Sequence, residues 1–332
     1  MDVHEGNKTQ LSTTDRTGNT MDITLLTEWD HLTHSMSIVV VGFNFNLLLF
    51  LLLNRRLRSK NSVRLFVNLQ VVHILLGSWD LVCTFLFCDF TACKPRGGDT
   101  FFIVQVCVWL GILIEMCIAL IMYTLDRLFA IMTPFKYEAI TSNHVFRAIL
   151  LSWLPMVTLI VTSMIFFVYP SKMGMLGYYV GVVATSLIAV AATVLIVSNV
   201  IVYRVAKIQY EAIQNTHVFQ QNETGREKRM LKSTYVCSCI VGSFVVSWLP
   251  QCLCNILVYT NIVQGIPSLA LHLVQSLPPI NSLLDPVFFI LFRKDVKREL
   301  KLFFKRSDRT SQASVVSACD QNSLPGTPLL EL

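Results

Sequence analysis

The sequence predicts an all-α membrane protein, a seven-transmembrane helix bundle with a short cytoplasmic amphipathic helix after it. Three observations carry that reading. The 332-residue chain is 53% hydrophobic and only 14% charged, too apolar for a soluble domain of its length. Its apolar residues are gathered into seven runs, each near the roughly 20 helical residues that cross a hydrocarbon core about 30 Å thick. Its Lys and Arg residues collect in alternate loops, as cytoplasmic loops do.

Residues 1–34 are polar and lack the basic start and short apolar core of a cleaved signal peptide. They form the extracellular tail, with a glycosylation sequon at Asn7. The bundle occupies residues 35–292, with expected spans Ser35–Leu53, Leu65–Cys88, Phe101–Leu125, Phe146–Tyr169, Leu176–Tyr203, Ser233–Tyr259 and Ile266–Phe292. Arg55, Arg56, Arg58, Lys60 and Arg64 follow the first span, and "REKRMLK" precedes the sixth. These place the N-terminus outside and the C-terminus inside. The formal net charge of +6 then reflects topology and contact with inner-leaflet lipids, without nucleic acid. Cys88 and Cys93 flank "DFTA" on the oxidising outer side, where a local disulfide is expected. Residues 293–306 alternate apolar Val296, Leu300, Phe303 and Phe304 with Lys and Arg, the pattern of a helix on the membrane surface. The Ser/Thr/Gln-rich tail, 307–332, is expected to be disordered.

Several motifs fall in order on these spans. The third ends in Asp126-Arg127-Leu128, then Ala130-Ile131 and Pro134-Phe135; the sixth holds "FVVSWLP", with Phe244, Ser247, Trp248 and Pro250; the seventh holds "NSLLDPVFF", with Asn281, Asp285, Pro286 and Phe289. With Trp153 in the fourth span and Asn44 or Asn46 in the first, they resemble the rhodopsin-like (class A) G-protein-coupled receptors over about residues 35–305. Leu128, Ser247 and Phe289 replace the family's usual tyrosine, cysteine and tyrosine. The resemblance implies a receptor at the plasma membrane, coupling an unidentified extracellular ligand to heterotrimeric G proteins through outward movement of the sixth helix. It also implies arrestin and receptor kinases as partners of the Ser/Thr tail, and no cofactor.

By that resemblance, Asp126 holds Arg127 at rest, and Arg127, Pro134 and Phe135 meet the G protein. Taken alone, Asp126 and Arg127 could be an interfacial anchor, and Phe135 could tuck under its loop. Pro250 removes a helix hydrogen bond and allows a pivot. Trp248 and Phe244 would sense and relay its motion, although their spacing also suits core aromatics. Pro286 gives the seventh span a similar joint, and Phe289 lacks a bridging hydroxyl. Residues placed by position around the ligand cavity are Asp80, Gln105, Trp109, Leu113, Trp248, Gln251, Asn255, His272 and Gln275. Asp80 could bind a cationic ligand or hydrogen-bond a neighbouring helix. Trp109 stands where aminergic receptors carry aspartate, and Pro279 where opsins carry lysine. Glu115 is expected to be hydrogen-bonded structure.

The family's second-span aspartate and third-span serine, which bind sodium in most relatives, are His73 and Met116 here, while Asp285 replaces the facing asparagine. A buried carboxylate needs a partner. The expected mid-membrane site is therefore a His73/Asp285 pair near Asn281; the alternative bonds His73 to Asn44, Asn46 or Asn281 instead. The acid that often clamps the third-span arginine is replaced by Met230 among Arg226, Lys228, Arg229 and Lys232, so resting restraint should be weak. Phe102 replaces the third-span cysteine, Leu195 stands near the missing fifth-span proline, and Tyr203 matches that span's inner tyrosine. These two absences resemble the melanocortin, cannabinoid and lysophospholipid branches, and Asp285-Pro286 resembles the melanocortin one.

A membrane channel or transporter is the alternative class, but Asp80, Glu115 and Asp285 are scattered and no paired repeat is present. An enzyme would need a zinc or nucleophile–base spacing, and none occurs, so neither metal nor catalytic residues are expected.

Overall fold

The computed structural model describes residues 35–87, 98–133, 137, 142–168, 173–216, 224–259 and 268–305, and every regular element within them is helical. In chain order these are α1 (Ser35–Leu53), α2 (Arg55–Arg58), α3 (Asn61–Phe87), α4 (Gly98–Met132), α5 (Ser142–Val168), α6 (Met173–Thr216), α7 (Thr224–Tyr259), α8 (Ser268–Phe292) and α9 (294–305). Six of them are long and apolar enough to cross a membrane, and the apolar stretch Ser276–Phe292 of α8 is a shorter seventh. Asn7, Cys88, Cys93, Pro134 and Phe135 lie outside the described residues.

The third span, α4, is the axis of the bundle. Its apolar window is 67% buried, against 17% for α5 and 22% for α6, because it packs on α3, α5, α6 and α7 together. Buried Leu110, Leu113, Met116, Leu120 and Tyr123 of α4 join one continuous core with Leu69 and Val72 of α3 and Val241, Phe244 and Trp248 of α7. The opposite faces of the outer helices expose Leu151, Val190, Val246 and Leu253, as a lipid-facing surface requires. α1 and α3 approach closely at Gly77, where an added Cβ would meet a Val41 methyl at 2.9 Å.

Prolines inside α7 and α8 remove backbone donors without ending either helix. At Pro286 the consequence is visible. The Ser282 carbonyl, which would have accepted the residue-286 amide, instead accepts Asn44 Nδ2 at 3.1 Å, so α1 is tied to α8 where the proline frees an acceptor. Among the described residues Asn46 bonds only within its own helix, to the Gly42 carbonyl. Asn44 is therefore the bundle-facing member of the two.

At the end of the bundle that carries α2 and α9, called the inner end below, Asn54 caps α2 through the Leu57 amide and donates to Glu299 of α9 at 3.2 Å. Lys60 meets Asp295 at 2.6 Å, and Arg293 reaches Ser62, Asp295 and the face of Phe289. Burial works to raise the Asp295 carboxyl, but Arg293 and Lys60 outweigh it and hold it at about 2. Val296 is buried, while Phe303 and Phe304, further along α9, remain more than half exposed.

Candidate functional site

Polar groups inside an apolar bundle concentrate at three levels. At the inner end of α4, Asp126 and Arg127 form a salt bridge in which both Arg127 Nε and a terminal amine donate to Asp126 Oδ2. The Tyr137 hydroxyl donates to Asp126 Oδ1 at 2.9 Å and lies 3.4 Å from Arg127. Burial, then the neighbouring Asp126 charge, push the Tyr137 phenol up to about 12, so it remains a hydrogen-bond donor at any physiological pH. The sequence reading had no place for Tyr137. Its signal was only its spacing, eleven residues after Asp126 on the far side of Pro134. Directly above, Cys237 Sγ of α7 lies 3.7 Å from Thr124 Oγ1 of α4, so the two helices are closed against each other there.

The middle level holds the most heavily buried polar cluster. His73 and Asp285 are both fully buried and meet at 3.0 Å, Nε2 to Oδ2. An ionised carboxylate only accepts, so Nε2 carries a proton whether the imidazole is neutral or charged. The other imidazole nitrogen, Nδ1, lies 2.9 Å from Ser282 Oγ. Ser282 can donate to Nδ1, or accept from it and donate to the Pro278 carbonyl at 3.3 Å. Both forms of the ring are therefore satisfied. The second carboxylate oxygen, Oδ1, accepts from Ser243 Oγ of α7 at 3.0 Å. The expected His73/Asp285 pair is present, and two serines absent from the sequence reading complete it. Asn281 is buried nearby in sequence, yet its amide has no hydrogen-bond partner among the described residues. It is not a member of the bonded set. Met116 contributes a fully buried thioether to the surrounding core.

A second buried acid belongs to the framework. Glu115 Oε1 accepts from Asn68 Nδ2 at 3.1 Å and Ser152 Oγ at 2.8 Å, and Asn68 in turn accepts from Trp153 at 2.9 Å. The set joins α3, α4 and α5, and Glu115 is the hydrogen-bonded structural group expected of it.

The aromatic column rises from the middle level outward. Phe244 and Trp248 are fully buried with centroids 6.1 Å apart, and Trp109 of α4 lies 5.7 Å from Trp248. Leu113 and Gln251 are buried beside this level, and Asp80 and Gln105 are half-buried. Asn255, His272 and Gln275 stand on α7 and α8, but their side chains lie outside the described residues. On the inner side, Phe289 stacks face to face on Phe66 with centroids 3.6 Å apart. Losing the family's hydroxyl at this position therefore leaves an apolar contact between α8 and α3. Tyr203, by contrast, is 52% exposed and does not point into the bundle from α6.

The family model for the seven-transmembrane receptor (rhodopsin family) matches residues 43–289, well over half of the chain.

Proposed function

Because the chain belongs to the rhodopsin family of seven-transmembrane receptors, multi-pass membrane receptors that signal through heterotrimeric G proteins, we propose that it sits in the plasma membrane with its N-terminus outside and carries the binding of an extracellular ligand to the G protein by an outward swing of the inner half of α7. The observation that supports this best is the inner-end constellation of Asp126, Arg127 and Tyr137 beside the closed α4–α7 contact. Arg127 is held by groups it must leave to meet a partner. Pro250 supplies the pivot and Trp248, against Trp109, the element that a ligand in the outer cavity displaces.

Pro134 and Phe135 complete the G-protein surface in this reading, and the Ser/Thr tail recruits receptor kinases and arrestin. Phe102 and Leu195 favour the melanocortin, cannabinoid and lysophospholipid branches, and Asp285-Pro286 the melanocortin one, over aminergic receptors, with Trp109 in place of an ammonium-binding acid. Nothing in the family match favours a channel or transporter. The test is to express the chain and record second messengers against a panel of G proteins, with and without tissue extract. A response from at least one G protein that disappears in Arg127→Ala at equal surface expression is expected; no response from any would overturn the proposal.

A further inference from the structure

The His73/Asp285 pair joins α3 to α8, but its fourth member, Ser243, stands on α7, the helix that has to move. We infer that the Ser243–Asp285 hydrogen bond is a latch that holds α7 closed, with Ser243 acting as a positioning residue that sets the closed-to-open balance of the bundle. The inference rests on the receptor reading above and names a contact within it.

Geometry makes the contact obligatory to break. Ser243 lies seven residues inward of Pro250, and Cys237 thirteen. If the inner half of α7 turns as a rigid rod about Pro250, Ser243 moves roughly half as far as Cys237. The bond to Asp285 Oδ1 is 3.0 Å long and is lost beyond about 3.5 Å. A displacement of about 1–2 Å at Cys237 directed away from α8 therefore suffices to break it.

The cost of opening falls on one side of the bond. Ser243 Oγ also lies 2.8 Å from the Ile240 carbonyl of its own helix, so its proton has another acceptor that travels with it. Asp285 has none among the described residues: it is fully buried, and its other partner there is His73 on Oδ2. Opening α7 strands Oδ1 in an apolar interior, which is unfavourable for a carboxylate above all. Removing the Ser243 hydroxyl strands the same oxygen in the closed state already. It thereby takes away the difference between closed and open and shifts the balance towards open.

The experiment uses the full chain in lipid nanodiscs, with a trifluoromethyl label on a cysteine introduced by Lys232→Cys near the inner end of α7. The chain without that cysteine serves as blank. Fluorine resonances read the closed and open populations directly, and nucleotide exchange on added G protein is read in parallel. Ser243→Ala should raise the open-to-closed ratio about tenfold, the scale of one hydrogen bond to a charged group. Ser243→Thr, which keeps the hydroxyl, should restore the closed population. In an Asp285→Asn background, where the acceptor is neutral, Ser243→Ala should shift the ratio distinctly less. An unchanged ratio in Ser243→Ala, or the same shift in both backgrounds, would overturn the latch. A ratio that shifts as stated while no G protein responds would leave the latch standing and refute the coupling proposal instead.

Discussion

Replacing His73 or Asp285 singly should damage the protein far more than the size of either side chain suggests. Both are fully buried, and each nitrogen and each carboxylate oxygen has its own partner: Asp285 Oδ2 on Nε2, Ser282 on Nδ1, Ser243 on Oδ1. His73→Ala leaves Oδ2 with no donor, a loss of about 1.5–3 kcal/mol for a charge-assisted bond, and leaves a void whose relaxation is incomplete. Together these give about 3–5 kcal/mol, the range seen when one member of a buried pair is removed. Asp285→Ala strands Nε2 in the same way, whereas Ser243 keeps the Ile240 carbonyl as its acceptor. The double replacement removes the mismatch and retains only the voids, so it should cost about 2–3 kcal/mol less than the sum of the singles. Reversible unfolding in mixed micelles, titrated with denaturing detergent, measures all four corners of the cycle. Additivity within about 0.5 kcal/mol would show that the two residues are not coupled, and the reasoning would fail.

Sodium should not act as a negative modulator, because His73 occupies the position of the second-span acid. Exchanging the two as His73→Asp with Asp285→Asn should preserve signalling and introduce sodium sensitivity; clear sodium inhibition of the unmodified chain would contradict this. Met230→Glu should lower ligand-independent activity by giving Arg127 a second acidic partner amid Arg226, Lys228, Arg229 and Lys232, as read by basal second-messenger output. Glu115→Gln keeps an acceptor for Asn68 and Ser152 and should change stability by no more than about 1 kcal/mol, whereas Glu115→Ala should cost about 2–4 kcal/mol. The Asp295 carboxyl is held below its ordinary value of 3.8, at about 2, so its contribution is fully present above that ordinary value and is lost only as pH falls towards 2. Protection factors of α9 amides should therefore stay level from pH 8 to 5 and fall in Asp295→Asn; a decline between pH 8 and 5 would rule the tie out.

Length and composition make the helices legible. The expected fourth span, Phe146–Tyr169, and the helix Ser142–Val168 differ by only a few residues because hydrocarbon thickness fixes both. The inner ends of α6 and α7 run well beyond their apolar spans, to Thr216 and from Thr224, since a helix continues into water wherever polar residues permit it. Hydropathy stops at the interface and cannot see that extension; the mixed charge of residues 207–232 is what suggests it in the sequence. The pairing of His73 with Asp285 was legible through the family resemblance, which puts the two at facing positions of the second and seventh spans, together with the need of a buried carboxylate for a partner. Ser243 and Ser282 were not, because serine is common in spans and only the rotation of α7 and α8 decides which ones face inward. The rotations of α1 and α6 likewise separate Asn44 from Asn46 and turn Tyr203 outward. Tyr137 was hidden for another reason: its bond to Asp126 links residues eleven apart, which no helical or strand period pairs.

The most direct test of the account is catalysed nucleotide exchange by the purified chain in nanodiscs, against each class of heterotrimeric G protein, with Arg127 intact and with Arg127→Ala. The account predicts that the unmodified chain accelerates exchange on at least one class and that Arg127→Ala, folded and inserted to the same extent, does not. Equal acceleration by both, or by neither on any class, would contradict it.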